Sequence, residues 1–174
     1  MDWSKALFQV IDLRSFSSIW YWMVVAVVWS SVSHWVLGVP YDLIQRAKRH
    51  GGQAEQDLED IVRVNVNRLM HISGAAGSLL TAFLFFLLSI LMGLGFFYGV
   101  ELAQAVFLLA LPLGIVGGVS LSSAKGILDK QPTGDDLFAA LFRHRLWTQI
   151  IGMVAIFITA MYGMYQNLDI VRFL

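Results

Sequence analysis

Four long apolar stretches, none with a charged residue in its centre, constrain this chain more than any other feature. They cover Ile19–Leu37, Leu69–Tyr98, Leu102–Leu121 and Leu146–Tyr165. Each is long enough to cross the hydrocarbon core of a bilayer, which takes about 20 helical residues. Since a helix satisfies its own backbone hydrogen bonds in lipid, the sequence predicts an all-α polytopic membrane protein with four transmembrane helices in an antiparallel bundle.

The predicted boundaries divide the whole chain, a single membrane domain, into seven segments. In chain order these are an interfacial helix at 2–14, a first span at 17–38, a charged cytoplasmic segment at 39–66, a second span at 68–98, a third span at 100–123, a cytoplasmic loop with an amphipathic helix at 124–144 and a fourth span at 145–167. The second helix is expected to begin near residue 54 and to extend several turns into the cytoplasm.

Basic residues are distributed unevenly between the connecting segments. Nine of the twelve Lys and Arg residues lie in two of them, between spans one and two and between spans three and four. The positive-inside rule therefore places both segments in the cytoplasm and both termini in the periplasm of a bacterial inner membrane. The residues predicted to contact lipid headgroups or a partner are Arg46, Lys48, Arg49, Arg143 and Arg145.

Composition excludes several classes of function. Twelve acidic residues balance twelve basic ones, so no net charge favours nucleic acid as a partner. The chain contains no cysteine, which excludes thiolate metal sites and cysteine nucleophiles. Pumps and transporters usually place ionisable residues in mid-membrane, and these spans have none. No spacing typical of a catalytic or metal-binding motif is present, and the sequence predicts no enzyme.

Each span carries small residues at helical spacing, which allow helix backbones to approach closely in lipid. The predicted packing positions are Ala26 and Ser30 in span one, Gly74 and Ser78 in span two, Gly114, Gly118, Ser122 and Gly126 in span three, and Ala155, Thr159 and Gly163 in span four. The opposite faces of spans two and three are bulky and suit contact with lipid or a partner.

Three histidines are expected at similar depth near the cytoplasmic surface, namely His34, His71 and His144. Neutral imidazole is a common axial ligand, so His34 and His71 are candidates to hold a haem b or a bacteriochlorophyll. The alternative is that these histidines hydrogen-bond a neighbouring helix or a lipid headgroup and that no cofactor is bound. Asn65, Arg68 and His71 share one side of the second helix and are candidates for contact with a quinone headgroup.

Two blocks, Val10–Phe16 (VIDLRSF) and Trp29–Asp42 (WSSVSHWVLGVPYD), carry a family resemblance. The chain resembles small alphaproteobacterial four-span inner-membrane proteins that are labelled a component of the sulfur-mobilisation iron–sulfur assembly complex. The resemblance extends over most of the chain. It implies a role near iron–sulfur assembly, in membranes rich in respiratory and photosynthetic complexes. The chain departs from that role in having no cysteine to ligate a cluster.

The sequence favours a non-catalytic accessory or assembly subunit of a larger bacterial inner-membrane complex, respiratory or photosynthetic. Its expected partners are membrane lipids and other membrane-protein subunits, or further copies of itself. One alternative is a haem- or pigment-binding membrane anchor that uses His34 and His71. Another is a small oligomeric channel or transporter assembled through the face from Gly114 to Gly126.

Overall fold

The structure is a computed structural model that describes residues 15–172, with side chains up to residue 168. The described part is helical apart from one two-stranded hairpin. Its α-helices are α1 (Ile19–His34), α2 (Tyr41–His50), α3 (Gln53–Met92), α4 (Glu101–Lys130) and α5 (Gly134–Arg172). A 3-10 turn at Ser15–Ser17 precedes α1, and a π-helical turn at Gly93–Phe97 follows α3. The predicted interfacial helix at 2–14 lies outside the described residues.

The predicted all-α class is confirmed, and three helices are long and apolar enough to cross a membrane. They are α3 with its π-helical turn (Gln53–Phe97), α4 (Glu101–Lys130) and the Gly134–Leu168 part of α5. The 40 residues of α3 extend for about 60 Å, twice the thickness of a bilayer's apolar core. α3 is therefore longer than one crossing requires, and the charged residues lie in its first turns. With 16 residues, α1 is a shorter apolar helix of about 24 Å.

A tight hairpin ends α1 three residues before the predicted apolar stretch ends. Strand β1 (Trp35–Val36) pairs antiparallel with β2 (Val39–Pro40), in a register that places Val36 opposite Val39. The turn between them has positive φ angles at Leu37 (52°) and Gly38 (77°). Because a right-handed helix cannot pass through two such residues, the helix predicted to continue to residue 38 ends at His34.

The second basic segment is more helical than predicted. α4 continues to Lys130, and α5 runs without a break from Gly134 through the predicted amphipathic helix and the fourth span. A short turn separates the two helices, and Pro132 lies in it. The backbone N–H of Gly134 donates to Glu59 Oε1 at 3.0 Å, so a carboxylate from α3 caps the N-terminus of α5.

Two buried clusters hold the elements together. The larger, the basal cluster, lies where the hairpin, α2 and the start of α3 meet the end of α4 and the start of α5. Its members are Val36, Leu37, Val39, Ile44, Ala47, Leu58, Val62, Val66, Ala124, Ile127, Leu137 and Leu141. The smaller cluster consists of Val25, Trp29, Val116 and Ala155 and joins α1 to α4 and α5. We call the end of the molecule with the basal cluster the basal end, and the end with the α3–α4 turn the distal end.

Candidate functional site

A polar cavity of about 330 Å³ opens next to the basal cluster, between the end of α1, the hairpin and helices α3, α4 and α5. Most of its wall is apolar. We call it the polar cavity because five polar side chains, which come from three helices, also line it. They are Asn65 and Arg68 of α3, Ser120 of α4, and His144 and Thr148 of α5. The cavity therefore joins residues that are far apart in the chain.

Two ionisable residues line the cavity, Arg68 and His144. His144 is the more buried of the two, with 4% of its surface exposed. Its Nδ1 lies 3.2 Å from Ser123 Oγ, and its Nε2 has no hydrogen-bond partner among the described residues. The hydroxyls of Ser120 and Thr148 donate to backbone carbonyls of their own helices, at 2.8 and 3.1 Å. Each hydroxyl oxygen therefore keeps its capacity to accept a hydrogen bond.

Asn65 and Arg68 form the α3 side of the cavity. The side-chain amide of Asn65 donates to the carbonyl of Gly38 at 3.1 Å, which ties α3 to the hairpin. Arg68 is exposed, and within the described chain no carboxylate lies within 4.0 Å of its guanidinium. Among the residues that the structure describes, no carboxylate lines the cavity. The site can therefore hold a small polar group through hydrogen bonds.

An apolar groove of about 590 Å³ runs between α3 and α4 next to the polar cavity. Leu69, Ile72 and Ser120 line both spaces, so the groove begins where the cavity ends. Small residues form much of its floor, among them Gly77, Gly117 and Gly118. We call this space the lateral groove.

The structure separates the two histidines predicted to bind a cofactor from this cavity. His34 is exposed at the end of α1, with its Nε2 3.8 Å from Asp42 Oδ1 and its ring against Trp35. His71 is exposed on α3, and neither histidine lines the polar cavity. His144, to which the sequence assigned no separate role, is the histidine that lines it. No group of three or more potential metal ligands occurs among residues 15–168.

The basic residues predicted to contact headgroups lie at the basal end. Four of them are exposed, namely Arg46, Lys48, Arg49 and Arg143. The fifth, Arg145, is partly buried, and its guanidinium carbon lies 3.4 Å from the centre of the Tyr41 ring. Its Nε is buried without a hydrogen-bond partner. Arg145 thus contacts α2 of its own chain through a cation–π interaction.

The eleven predicted small-residue positions differ in their surroundings. Four lie at contacts within the chain: Gly114 faces Leu84, Gly163 faces Phe16, and Ala155 and Thr159 are buried. Six are exposed, namely Ala26, Ser30, Gly74, Ser78, Gly118 and Ser122. Gly126 is half-buried and, like Gly74 and Gly118, has no atom within 4 Å of a Cβ built on it.

Sequence reasoning did not identify Gly152, where α5 lies against α1. A Cβ at this position would lie 2.8 Å from Cε3 of Trp29, which is itself buried. A signal was present, because Gly152 precedes Ala155 by three residues and so shares a helix face with it.

A polar network at the distal end was also not predicted. The buried amide of Gln104 donates to the carbonyl of Gly95 at 2.7 Å and accepts from Gln166 Nε2 at 2.8 Å. Nearby, Glu101 Oε1 accepts from the backbone N–H of Phe16 at 2.8 Å. These bonds join α4 to the α3–α4 turn, to α5 and to the turn before α1.

Comparison with known proteins identifies no relative: no protein-family model matches the chain, and no characterised protein or solved structure matches it significantly.

Proposed function

We propose that this protein is a non-catalytic accessory or assembly subunit of a larger bacterial inner-membrane complex. The observation that carries the proposal is an outward-facing stripe of small residues on α3, formed by Gly74, Ser78 and Ala82, all of them exposed. Positions four apart lie on one helix face, and small residues on such a face let a second helix approach closely in lipid.

The stripe is separate from the contacts that α3 makes within the chain. α3 faces α4 through Leu84, whose Cδ2 lies 3.0 Å from a Cβ built on Gly114. Gly74 and Ser78 are rotated from Leu84 by about 80° and 120° around the helix axis. Within the described part of the chain nothing covers the face that they form, and a helix of another subunit can pack on it.

The proposed membrane setting follows from the arrangement of charges and from α1. The two basic segments meet at the basal end, where Arg145 covers Tyr41 and Glu59 caps α5. The positive-inside rule then favours a cytoplasmic basal end and periplasmic termini. α1 lies beside α4 and α5, with Phe16 bonded to Glu101 before it and the hairpin after it, and this position supports a fourth crossing.

A respiratory or photosynthetic complex is the proposed assembly. Its support is the sequence resemblance, which points to a lineage whose inner membranes are rich in such complexes.

Affinity purification of the tagged protein from native membranes in a mild detergent tests this proposal. We expect mass spectrometry to find the subunits of one complex with the wild-type chain, and to lose them with Ser78→Leu, which fills the stripe. Ala160→Leu is the matched control, since Ala160 is an exposed small residue on α5. Purification of the wild type alone, or only with its own copies, would contradict the proposal.

A further inference from the structure

We propose that the polar cavity and the lateral groove together form a binding site for a prenylated quinone. The ring would occupy the cavity and the isoprenoid tail would occupy the groove. This inference concerns a ligand of the single chain and does not depend on the proposed accessory role.

The cavity offers the two hydrogen-bond donors that a quinone ring requires. Arg68 of α3 has no ion-pair partner in the described chain, and the unpartnered Nε2 of the buried His144 belongs to α5. In the Nε2–H tautomer the imidazole donates, as the guanidinium always does. The two donors belong to different helices that line one cavity, so we assign one carbonyl oxygen of the ring to each. Trp35 supplies an aromatic surface in the same wall.

The groove suits an apolar tail in both length and position. Its lining on α3 runs from Leu69 to Leu88, which corresponds to about 28 Å of helix. It starts at the polar cavity, through the shared residues Leu69, Ile72 and Ser120, and continues along the apolar part of α3. A ligand that keeps its polar head near the membrane surface and extends its chain towards the membrane centre therefore fits the order of cavity and groove along α3.

The cavity wall favours a neutral ring over the phosphate of a phospholipid. Apart from Arg68 and His144 its polar side chains are neutral, and Val32, Leu37 and Val116 are among its apolar residues. A phosphodiester placed beside His144 would bring a full charge into a wall that is mostly apolar, where Arg68 is the one guanidinium among the described residues. Burying a charge without a buried partner is costly, whereas a quinone brings none.

The experiment measures retention of a decyl-substituted benzoquinone by phosphatidylcholine nanodiscs that carry the purified protein, relative to empty discs. Two variants change different parts of the site. Arg68→Gln removes the charged donor, and Gly117→Leu fills the groove at a position where no atom lies within 4 Å of an added Cβ. Gly126→Leu is the control, because Gly126 has equally open surroundings on the same helix but does not line the groove.

We expect the wild type to bind the quinone saturably and one to one. Binding should be about tenfold weaker in Arg68→Gln, which loses a hydrogen bond from a charged group, and in Gly117→Leu, which loses apolar contact with the tail. Gly126→Leu should bind like the wild type. Absence of saturable binding, or equal binding by all variants, would overturn the proposal. So would equal affinity for a quinone without a tail. Loss of quinone binding when phosphatidylglycerol is added to the discs would identify a phospholipid site instead.

Discussion

At the scale of single residues, the contact between Gly152 and Trp29 depends on the absence of a side chain. A Cβ on Gly152 would lie 2.8 Å from the Trp29 ring, a distance that real Cβ atoms do not show. Since the indole is rigid and only 5% exposed, Gly152→Ala must displace α1 from α5. We expect the variant to lose about 1–3 kcal/mol of stability, measured by thermal unfolding in detergent.

Gly118→Ala is the matched control, since no atom lies within 4 Å of its added Cβ. In an exposed helix interior alanine is favoured over glycine by up to about 1 kcal/mol, so this variant should be as stable as the wild type or more stable. Equal melting temperatures for the Gly152→Ala protein and the wild type would show that α1 is not packed on α5 as described.

At the scale of elements, the basal cluster fixes α2 and the hairpin to the membrane helices. Val62 of α3 is 2% exposed within this cluster, and Val64 on the same helix is 61% exposed. We expect Val62→Ala to cost about 2 kcal/mol, through lost burial and a small cavity, and Val64→Ala to cost almost nothing. Hydrogen exchange should show faster opening of α2 in the first variant. Similar exchange in both variants would contradict the description of the cluster.

Helix content could be predicted from the sequence, but the end of α1 could not. The apolar run from Ile19 continues through Val36 and Leu37, and a membrane span and a buried hairpin are equally apolar. Only the backbone conformation at Leu37 and Gly38 separates the two. A non-glycine residue with positive φ has no reliable sequence signal, so the sequence could not show that the helix ends at His34.

At the scale of the whole molecule, helical periodicity identified residues of the polar cavity without identifying the cavity. Asn65 and Arg68 were predicted to share a side of α3, and they do line one wall. Periodicity shows which residues share a face, but not which neighbour that face meets. The rotation of α3 about its own axis, relative to α5, determines which histidine lines the cavity. His144 lines it and His71 is exposed. That rotation depends on tertiary packing.

The orientation of the molecule in the membrane can be tested with single cysteines, because the chain contains none. Ser17→Cys and Lys48→Cys flank α1, Tyr98→Cys marks the distal end, and all three residues are exposed. If α1 crosses and the basal end is cytoplasmic, a membrane-impermeant maleimide should label positions 17 and 98 in cells with a permeabilised outer membrane. Position 48 should react only after the inner membrane is opened. Labelling of 17 and 48 from the same side would show that α1 does not cross, and would leave the three long helices as the only spans among the described residues.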